Sequence, residues 1–257
     1  MKKFITKNYT AITFGIIFVF VLWFTISKMN PYGKLLFPSI EDTFSSLGEL
    51  LKSKYFYRSL AMTMYRTFIG FIISFALALV LGILSGTSKW IYNFLYPLVT
   101  ILKAIPTASL VFIFLALSDV MYASIYIVIL LAFPILYEAI ASGVRNVDKE
   151  VVEASKVDGA NFIQGLGFIK LPLAIPYILL GLLTSFGLSL KTEIMAEIVT
   201  GNTGDGLGCM ISAVRLAEPG NLAPIFAIAL VTIIIVLLIS LLSFLLKLLI
   251  KRTTSVQ

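Results

Sequence analysis

The segment from Val147 to Pro172, VDKEVVEASKVDGANFIQGLGFIKLP, is the longest polar interruption between two strongly apolar regions in the second half of the chain. Its first part, 147–157, carries apolar residues on one side at helical spacing and charged residues around the remainder. This pattern predicts a short amphipathic helix. Asp158 and Gly159 predict that the helix ends in a turn, because glycine adopts a left-handed backbone conformation without steric cost.

A second short helix is predicted from Asn161 to about Gly167, ahead of Pro172. The two helices and their turn are too small to fold alone. Their apolar side therefore needs a partner surface, either in the rest of this chain or in another protein.

Part of the segment follows a fixed register, E-A-x4-G-x9-I-x-L-P, formed by Glu153, Ala154, Gly159, Ile169, Leu171 and Pro172. This register resembles the EAA loop of binding-protein-dependent ABC transporter permeases. The chain departs from the family pattern at Ser155, where a second alanine is usual, and the residue stays small. The resemblance implies a cytoplasmic loop whose short helices dock into the ATP-hydrolysing subunit, with Glu153 and Ala154 at the contact and Gly159 at the turn. The alternative is an ordinary helical hairpin between two membrane helices.

The composition indicates an integral membrane protein. Hydrophobic residues make up 59% of the 257 residues and charged residues 13%, whereas soluble domains contain about 45–50% apolar and 25% charged residues. The net charge of +7 comes from basic residues scattered at segment ends, which favours lipid headgroups over nucleic acid as their partner. With no histidine and a single cysteine, Cys209, we predict no metal site, no catalytic residue and no disulfide within the chain.

The apolar runs predict an all-α polytopic protein with one transmembrane domain over 1–257 and about six membrane helices, because a helix of about twenty residues crosses the hydrocarbon core. The predicted segments are approximately 10–28, 59–85, 92–117, 120–142, 173–195 and 223–247. The basic N-terminus precedes an apolar run without a cleavage site, so we expect an uncleaved first helix and a cytoplasmic N-terminus. Alternation then places the 143–172 loop and the C-terminus in the cytoplasm, with 11 basic residues inside and 7 outside.

An amphipathic helix is predicted over 37–54, on the outer face of the membrane. Ser39, followed by Asp42, is typical of a helix start. The predicted apolar stripe consists of Ile40, Phe44, Leu47 and Leu51. The helix is expected to lie in the headgroup layer or to help seat an external partner. Its opening residues, 37–40, resemble the Leu-Pro-Ser-Pro stretch of permeases of the nitrate, taurine and sulfonate branch.

Several charged residues interrupt the apolar segments and are candidates for the lining of a translocation path. A charge is costly in lipid, so each should face the bundle interior, a water-filled path or the membrane surface. These candidates, with the helix-kinking proline beside one of them, are Arg66, Lys103, Pro106, Lys191, Glu193 and Glu197. Glu193 and Glu197 are four residues apart and share a helix face, whereas Lys191 lies on another. The alternative for these last three is a plain helix end that meets water.

The glycines after residue 200 do not form a phosphate loop, because no Gly-Lys-Ser/Thr follows them. A transport function would therefore need its ATPase in a separate subunit. The family resemblance implies a dimer of permeases, commonly two copies of one chain, in the bacterial plasma membrane. It also implies two ATP-binding subunits, which carry ATP-Mg, and an extracytoplasmic solute-binding protein, with no cofactor bound by this chain.

The branch resemblance implies a type I importer fold and a small anionic or zwitterionic substrate such as nitrate, a sulfonate or taurine. Similar permeases are linked to thiamine precursors and riboflavin, which remain alternatives. A transporter driven by an ion gradient is the alternative from another class, and it predicts inverted repeats and paired acids at the membrane midplane. Here Glu138, Glu193 and Glu197 lie near segment ends, which favours the ABC importer.

Overall fold

The computed structural model describes residues 2–200 and 204–254, and every regular element of this part of the chain is a helix. The all-α prediction is confirmed. The α-helices of these residues are α1 (Lys2–Met29), α2 (Ile40–Leu50), α3 (Lys54–Thr87), α4 (Lys89–Ala104), α5 (Thr107–Leu117), α6 (Val120–Arg145), α7 (Lys149–Val157), α8 (Phe162–Gln164), α9 (Leu171–Thr200), α10 (Leu207–Ala217) and α11 (Ala223–Thr254).

Five helical stretches in the described ranges are long and apolar enough to cross a bilayer: Thr10–Met29, Lys54–Thr87, Tyr122–Arg145, Phe162–Thr200 and Ala223–Leu242. The pair α4 and α5 provides a sixth crossing if the two helices are taken together. The six predicted segments thus correspond in order to these stretches, although their ends differ by several residues.

The predicted third segment, 92–117, is not one helix. α4 ends at Ala104, α5 starts at Thr107, and the two are bent by 95° relative to each other. Ile105 and Pro106 between them have extended backbone conformations. Pro106 contributes to the break, because it lacks an N–H and disfavours the helical conformation at the residue before it.

α3 and α6 pack side by side along a row of small residues spaced four apart. Gly70 lies against Val128 and Gly86 lies against Val144, and this constant offset means that the two helices run parallel. A methyl group on Gly86 would stand 2.5 Å from the Val144 Cβ. Small residues permit such close backbone approach between membrane helices. The complete row on α3 is Gly70, Ser74, Ala78, Gly82 and Gly86.

α9 packs on a neighbouring side of α6 in the antiparallel direction. Gly181 of α9 packs against Ala139 of α6, and Gly143 of α6 packs against Ala174 and Tyr177. α6 consequently packs against both α3 and α9, and these two helices also contact each other.

A second packing centre joins α2, α10 and α11 to the start of α3 and the end of α9. Its buried apolar residues include Leu50, Phe56, Leu207 and Ile228. The predicted start of α2 is confirmed, since the Ser39 side chain accepts a hydrogen bond from the Asp42 N–H. The predicted apolar stripe is only partly buried.

Within that stripe, Phe44 and Leu51 are 51% and 45% exposed, while Leu47 packs on the core beside the buried Leu50. One side of α2 therefore contacts α11. Apolar side chains on its other side are exposed.

The predicted start of a second helix at Asn161 is confirmed, but its predicted end near residue 167 is wrong. α8 leads into a wide turn over Gly165–Lys170, with hydrogen bonds five residues apart, and this turn continues directly into α9. Pro172 near the start of α9 cannot donate to the preceding turn. The wider turn just before it accommodates that missing donor, as such turns do within longer helices.

Replacing Gly86 with alanine should destabilise the α3–α6 contact by about 1–3 kcal/mol, because the added methyl forces Val144 and its helix to shift. Gly48 is the matched control, since nothing lies within 4 Å of its added methyl. Gly48→Ala should leave stability unchanged or raise it slightly, as alanine is the better helix former. Thermal unfolding of the two purified variants in detergent measures the difference. Equal melting temperatures would contradict the close packing.

Candidate functional site

Three regions of the molecule carry the residues singled out above. The first is the hairpin at the carboxyl end of α6, residues 147–172. The second is a buried polar cluster between α3, α9 and the start of α10. The third is an ion pair beside the break between α4 and α5.

The hairpin begins with α7, whose N-terminus is capped by the Asp148 side chain accepting from the Glu150 N–H. Gly159 has a φ of +87°, so the predicted left-handed turn is confirmed. The chain reverses there, and the Ala160 N–H donates to the Ser155 carbonyl over 3.0 Å. Asn161 then caps α8 by a reciprocal pair of hydrogen bonds with Gln164.

Small residues hold the two arms of the hairpin together. Ser155 is buried, and a Cβ placed on Gly165 would lie 3.9 Å from its hydroxyl oxygen. The Ser155 hydroxyl donates to the Val152 carbonyl of its own helix, so the hydroxyl that distinguishes it from alanine is satisfied. Glu153 and Ala154, by contrast, are exposed.

The outer side of the hairpin carries unusually exposed apolar side chains. Val157 is 87% exposed, and the other members of this set are Val151, Phe162, Ile163 and Phe168. Exposed apolar side chains grouped on one short element indicate an interaction surface. We refer to these five residues as the hairpin apolar surface. The remaining predicted loop residues, Ile169, Leu171 and Pro172, lie at the junction with α9.

The second region brings Arg66 of α3 and Glu197 of α9 into direct contact. The Arg66 Nη1 donates to the Glu197 carboxylate over 2.8 Å, and both side chains are almost completely buried. Thr63, one turn before Arg66, donates its hydroxyl to the same carboxylate. A buried ion pair is tolerated only where further hydrogen bonds satisfy its remaining atoms.

The start of α10 completes the cluster with backbone groups. The Gly208 N–H donates to the second Glu197 oxygen over 2.8 Å, and the Leu207 N–H donates to the Thr63 hydroxyl over 2.8 Å. Arg66 also donates to the Asp205 carbonyl over 2.9 Å. Glycine is required at 206, because a Cβ there would stand 2.5 Å from a Glu197 carboxylate oxygen. The segment after α9 is thus held against α3 and α9 by bonds to Glu197, Thr63 and Arg66.

Glu193 lies one turn before Glu197 and is fully buried, and neither of its carboxyl oxygens has a well-formed hydrogen bond within the described ranges, although the Ser124 hydroxyl of α6 lies beside it. The Nε of Arg66 also lacks a partner there. The prediction that Glu193 and Glu197 share a face is confirmed. Lys191 is exposed on a different face of α9 and contacts neither acid.

The third region contains Lys103 and Pro106. The Lys103 ammonium lies 2.8 Å from both carboxylate oxygens of Glu138 on α6, and the two side chains are 46% and 49% exposed. Pro106 immediately precedes α5 at the break. The six predicted path residues therefore fall at separate places, since Arg66, Glu193 and Glu197 form one cluster, Lys103 and Pro106 lie elsewhere, and Lys191 stands apart.

Sequence reasoning omitted Glu138 and Thr63 from the candidate site. Glu138 had a usable signal, because it is an acid within an otherwise apolar run and an intramembrane acid needs a partner. Thr63 had none, since nothing in the sequence indicates that its hydroxyl meets residues 197 and 207.

Comparison with known proteins gives consistent matches. Residues 78–255 match the family model for the binding-protein-dependent transport system inner membrane component. The aliphatic sulfonates transport permease protein SsuC of Bacillus subtilis is 27% identical over 206 residues, covering 79% of this chain and 73% of the relative. The taurine transport system permease protein TauC of Escherichia coli is 24% identical over 221 residues, covering 83% and 80%. The nitrate import permease protein NrtB of Synechocystis is 32% identical over 143 residues, covering 55% and 52%.

Solved structures share the fold. A crystal structure of an amino acid ABC transporter with histidines superposes with a TM-score of 0.67 at 19% identity, covering 78% of this chain and 96% of that chain. The inward-facing MetNI methionine ABC transporter superposes with a TM-score of 0.66 at 19% identity, covering 75% and 94%.

Replacing Arg66 with methionine should destabilise the protein by about 3–5 kcal/mol, because it leaves the buried Glu197 carboxylate without its counter-charge. Arg58→Met is the matched control, since that arginine pairs with Asp205 over 2.7 Å but is 73% exposed. Exposed ion pairs contribute little to stability. Thermal unfolding in detergent should therefore separate the two variants clearly. Similar losses in both would mean that the Arg66–Glu197 pair is not the fastening described above.

Proposed function

This chain belongs to the family of binding-protein-dependent transport system inner membrane components, the permease subunits of ABC importers, and we propose that it forms the translocation path and couples it to a separate ATPase. The observation that carries the coupling role is the hairpin apolar surface: Val157, Phe162, Ile163 and Phe168 are 87%, 68%, 78% and 81% exposed on a short hairpin. Apolar side chains in such a position require a protein partner.

The proposed partner is an ATP-binding subunit, present in two copies, that holds ATP-Mg. This chain itself binds no cofactor and catalyses no reaction. In this proposal Glu153 and Ala154 lie at the contact, Ser155 and Gly159 fix the shape of the hairpin, and Ile169, Leu171 and Pro172 join it to α9. The exposure of Glu153 and Ala154 and the positive φ of Gly159 support these roles.

The hairpin faces the cytoplasm in this proposal, with both chain termini on the same side, because ATP is available there. The other end of the bundle, where α10 and the Arg66–Glu197 cluster lie, then faces the extracytoplasmic solute-binding protein. A second copy of the chain completes the permease, since a twofold dimer needs only one self-complementary interface. The membrane is the bacterial plasma membrane.

The substrate proposed for the complete importer is a small anionic or zwitterionic molecule. Relatives named for sulfonates, taurine and nitrate support this class. The basic side chains inside the bundle, Arg66 and Lys103, are compatible with it.

The partner assignment is tested by purifying the tagged chain from its own membrane in mild detergent and identifying copurifying proteins by mass spectrometry. An ATP-binding subunit should accompany the natural chain and be lost with Glu153→Lys, because the exposed acid at the contact changes sign. Glu49→Lys on α2 is the control, since Glu49 is also exposed but lies away from the hairpin. Absence of an ATP-binding subunit from all three samples, even after cross-linking in intact cells, would refute the assignment.

The turn provides a second test. Gly159→Ala should lower both substrate uptake and the stimulation of ATP hydrolysis, because alanine at a φ of +87° costs about 1–2 kcal/mol and displaces the second arm. Gly48→Ala on α2 is the control, because nothing lies within 4 Å of either position and Gly48 does not have a positive φ. Normal uptake together with normal stimulation in Gly159→Ala would exclude the hairpin as the coupling element.

A further inference from the structure

α4 has three different faces, although it lies among membrane-spanning helices. Its buried face packs through Leu95 and Val99 against the core. A second face exposes large apolar side chains, namely Trp90, Phe94, Leu98 and Ile101. A third face is exposed and polar, with the spacing i, i+3, i+7 and i+10 that defines one side of a helix. It consists of Asn93, Tyr96, Thr100 and Lys103.

The polar face of α4 continues onto α6 through the Lys103–Glu138 pair. Ser142 and Arg145 follow Glu138 by four and seven residues, and all three are exposed. The Arg145 guanidinium lies 3.8 Å from the centre of the Tyr92 ring of α4. Between the two helices is a cleft of about 270 Å³ lined by Tyr92, Glu138, Ala141, Ser142, Arg145 and Asn146.

The Lys103–Glu138 pair lies within the level of the apolar span Tyr122–Arg145, because Glu138 is seven residues, or about 10 Å, before the end of that span at Arg145. Two half-exposed charges at this depth are incompatible with lipid and require water or protein on their open side. The apolar face with Trp90 and Ile101 is the side of α4 suited to lipid.

The break between α4 and α5 adds further polar groups at the same place. Lys103 is the penultimate residue of α4, and the last carbonyls of a helix have no partner within it. Irregular backbone at membrane depth occurs where it lines a water-filled cavity or is covered by protein. The break and the ion pair thus both require water or protein on the same side of α4.

We propose that the polar face of α4, with Glu138 and Ser142 of α6, is a water-lined wall of the translocation path, and that the Lys103–Glu138 pair selects a zwitterion over a simple anion. The proposal rests on the permease function proposed above. Because the wall lies on the surface of a single chain, a second copy closes the path opposite it.

The selection follows from the charges. A simple anion bound to Lys103 separates it from Glu138, and an uncompensated charge in surroundings of low dielectric constant is strongly unfavourable. A molecule with an ammonium and a sulfonate replaces both partners at once, the ammonium on Glu138 and the sulfonate on Lys103. Every charge then remains paired.

The wall is tested by thiol labelling of the assembled transporter in membrane vesicles with a membrane-impermeant methanethiosulfonate reagent. Thr100→Cys should react about tenfold faster or more than Ile101→Cys, its neighbour at the same depth on the apolar face, because thiolates form in water. Tyr96→Cys and Leu98→Cys form a second such pair. The natural Cys209 is buried and gives little background. Equal labelling rates within both pairs would refute the proposal that this face lines a water-filled path.

The selection is tested by equilibrium binding of taurine and of ethanesulfonate, which differ by the ammonium group, to the purified complex with the ATP-binding subunit and without the binding protein. Taurine should bind the natural complex about tenfold tighter or more, as expected for one hydrogen bond to a charged group. Lys103→Met/Glu138→Gln should abolish this preference without leaving an unpaired charge. The exchange Lys103→Glu/Glu138→Lys should restore it.

A natural complex that binds neither compound at millimolar concentration, or both equally, overturns the selection, as does a preference that survives in the neutral double variant. Copurification of the ATP-binding subunit with each variant is measured in parallel. If the ATP-binding subunit copurifies but the preference for taurine is absent, only the proposed selection is refuted. If the subunit does not copurify with the natural chain, the proposed permease function is refuted.

Discussion

The close approach of α3 and α6 is the constraint on which the other positions depend. In a bilayer, apolar contact alone does not hold helices together, so van der Waals packing between closely spaced backbones must supply the attraction. The row from Gly70 to Gly86 provides it over four helical turns. Because the two helices run parallel along this row, Arg66 lies beyond one end of it and the hairpin begins beyond the other. Residues of opposite ends of the membrane are thus fixed to one rigid pair of helices.

The second constraint is the treatment of charge inside the bundle. Glu197 accepts hydrogen bonds from an arginine, a threonine hydroxyl and a backbone amide, and this saturation lets a carboxylate remain buried. Lys103 and Glu138 form an ion pair with each other instead, and their exposed side needs water or protein. Among the described residues, Glu193 has neither a full set of hydrogen bonds nor an exposed side. It lies one turn from Glu197 on α9, the helix that faces Arg66.

The helical fold and the turn of the hairpin could be predicted from local sequence patterns, whereas the contacts between distant residues could not. Gly159, Ser39 and the apolar segments were predictable because turns, helix caps and membrane spans depend on residues close in the chain. The break at Pro106 was underestimated, since a proline can kink or end a helix and only the packing of α5 decides which. The Arg66–Glu197 contact joins residues 131 positions apart, and no periodicity carries that information. The partner of Lys103 was missed for the same reason, although the presence of an unpaired acid at 138 in an apolar run was visible.

The continuity of the hairpin with α9 decides how the two ends of the molecule can communicate. A single helical rod runs from Phe162 to Thr200, so a displacement of the hairpin apolar surface moves α9 as a body unless the rod bends. The wide turn over Gly165–Lys170 is the weak point, because its hydrogen-bond pattern is irregular and two of its six residues are glycines. Beyond it, α9 is clamped between α6 at Gly181 and the Glu197 cluster. Small rotations at the hairpin can therefore be absorbed at the wide turn, whereas a larger movement transmitted along α9 acts on the hydrogen bonds that Glu197 makes with α3 and α10.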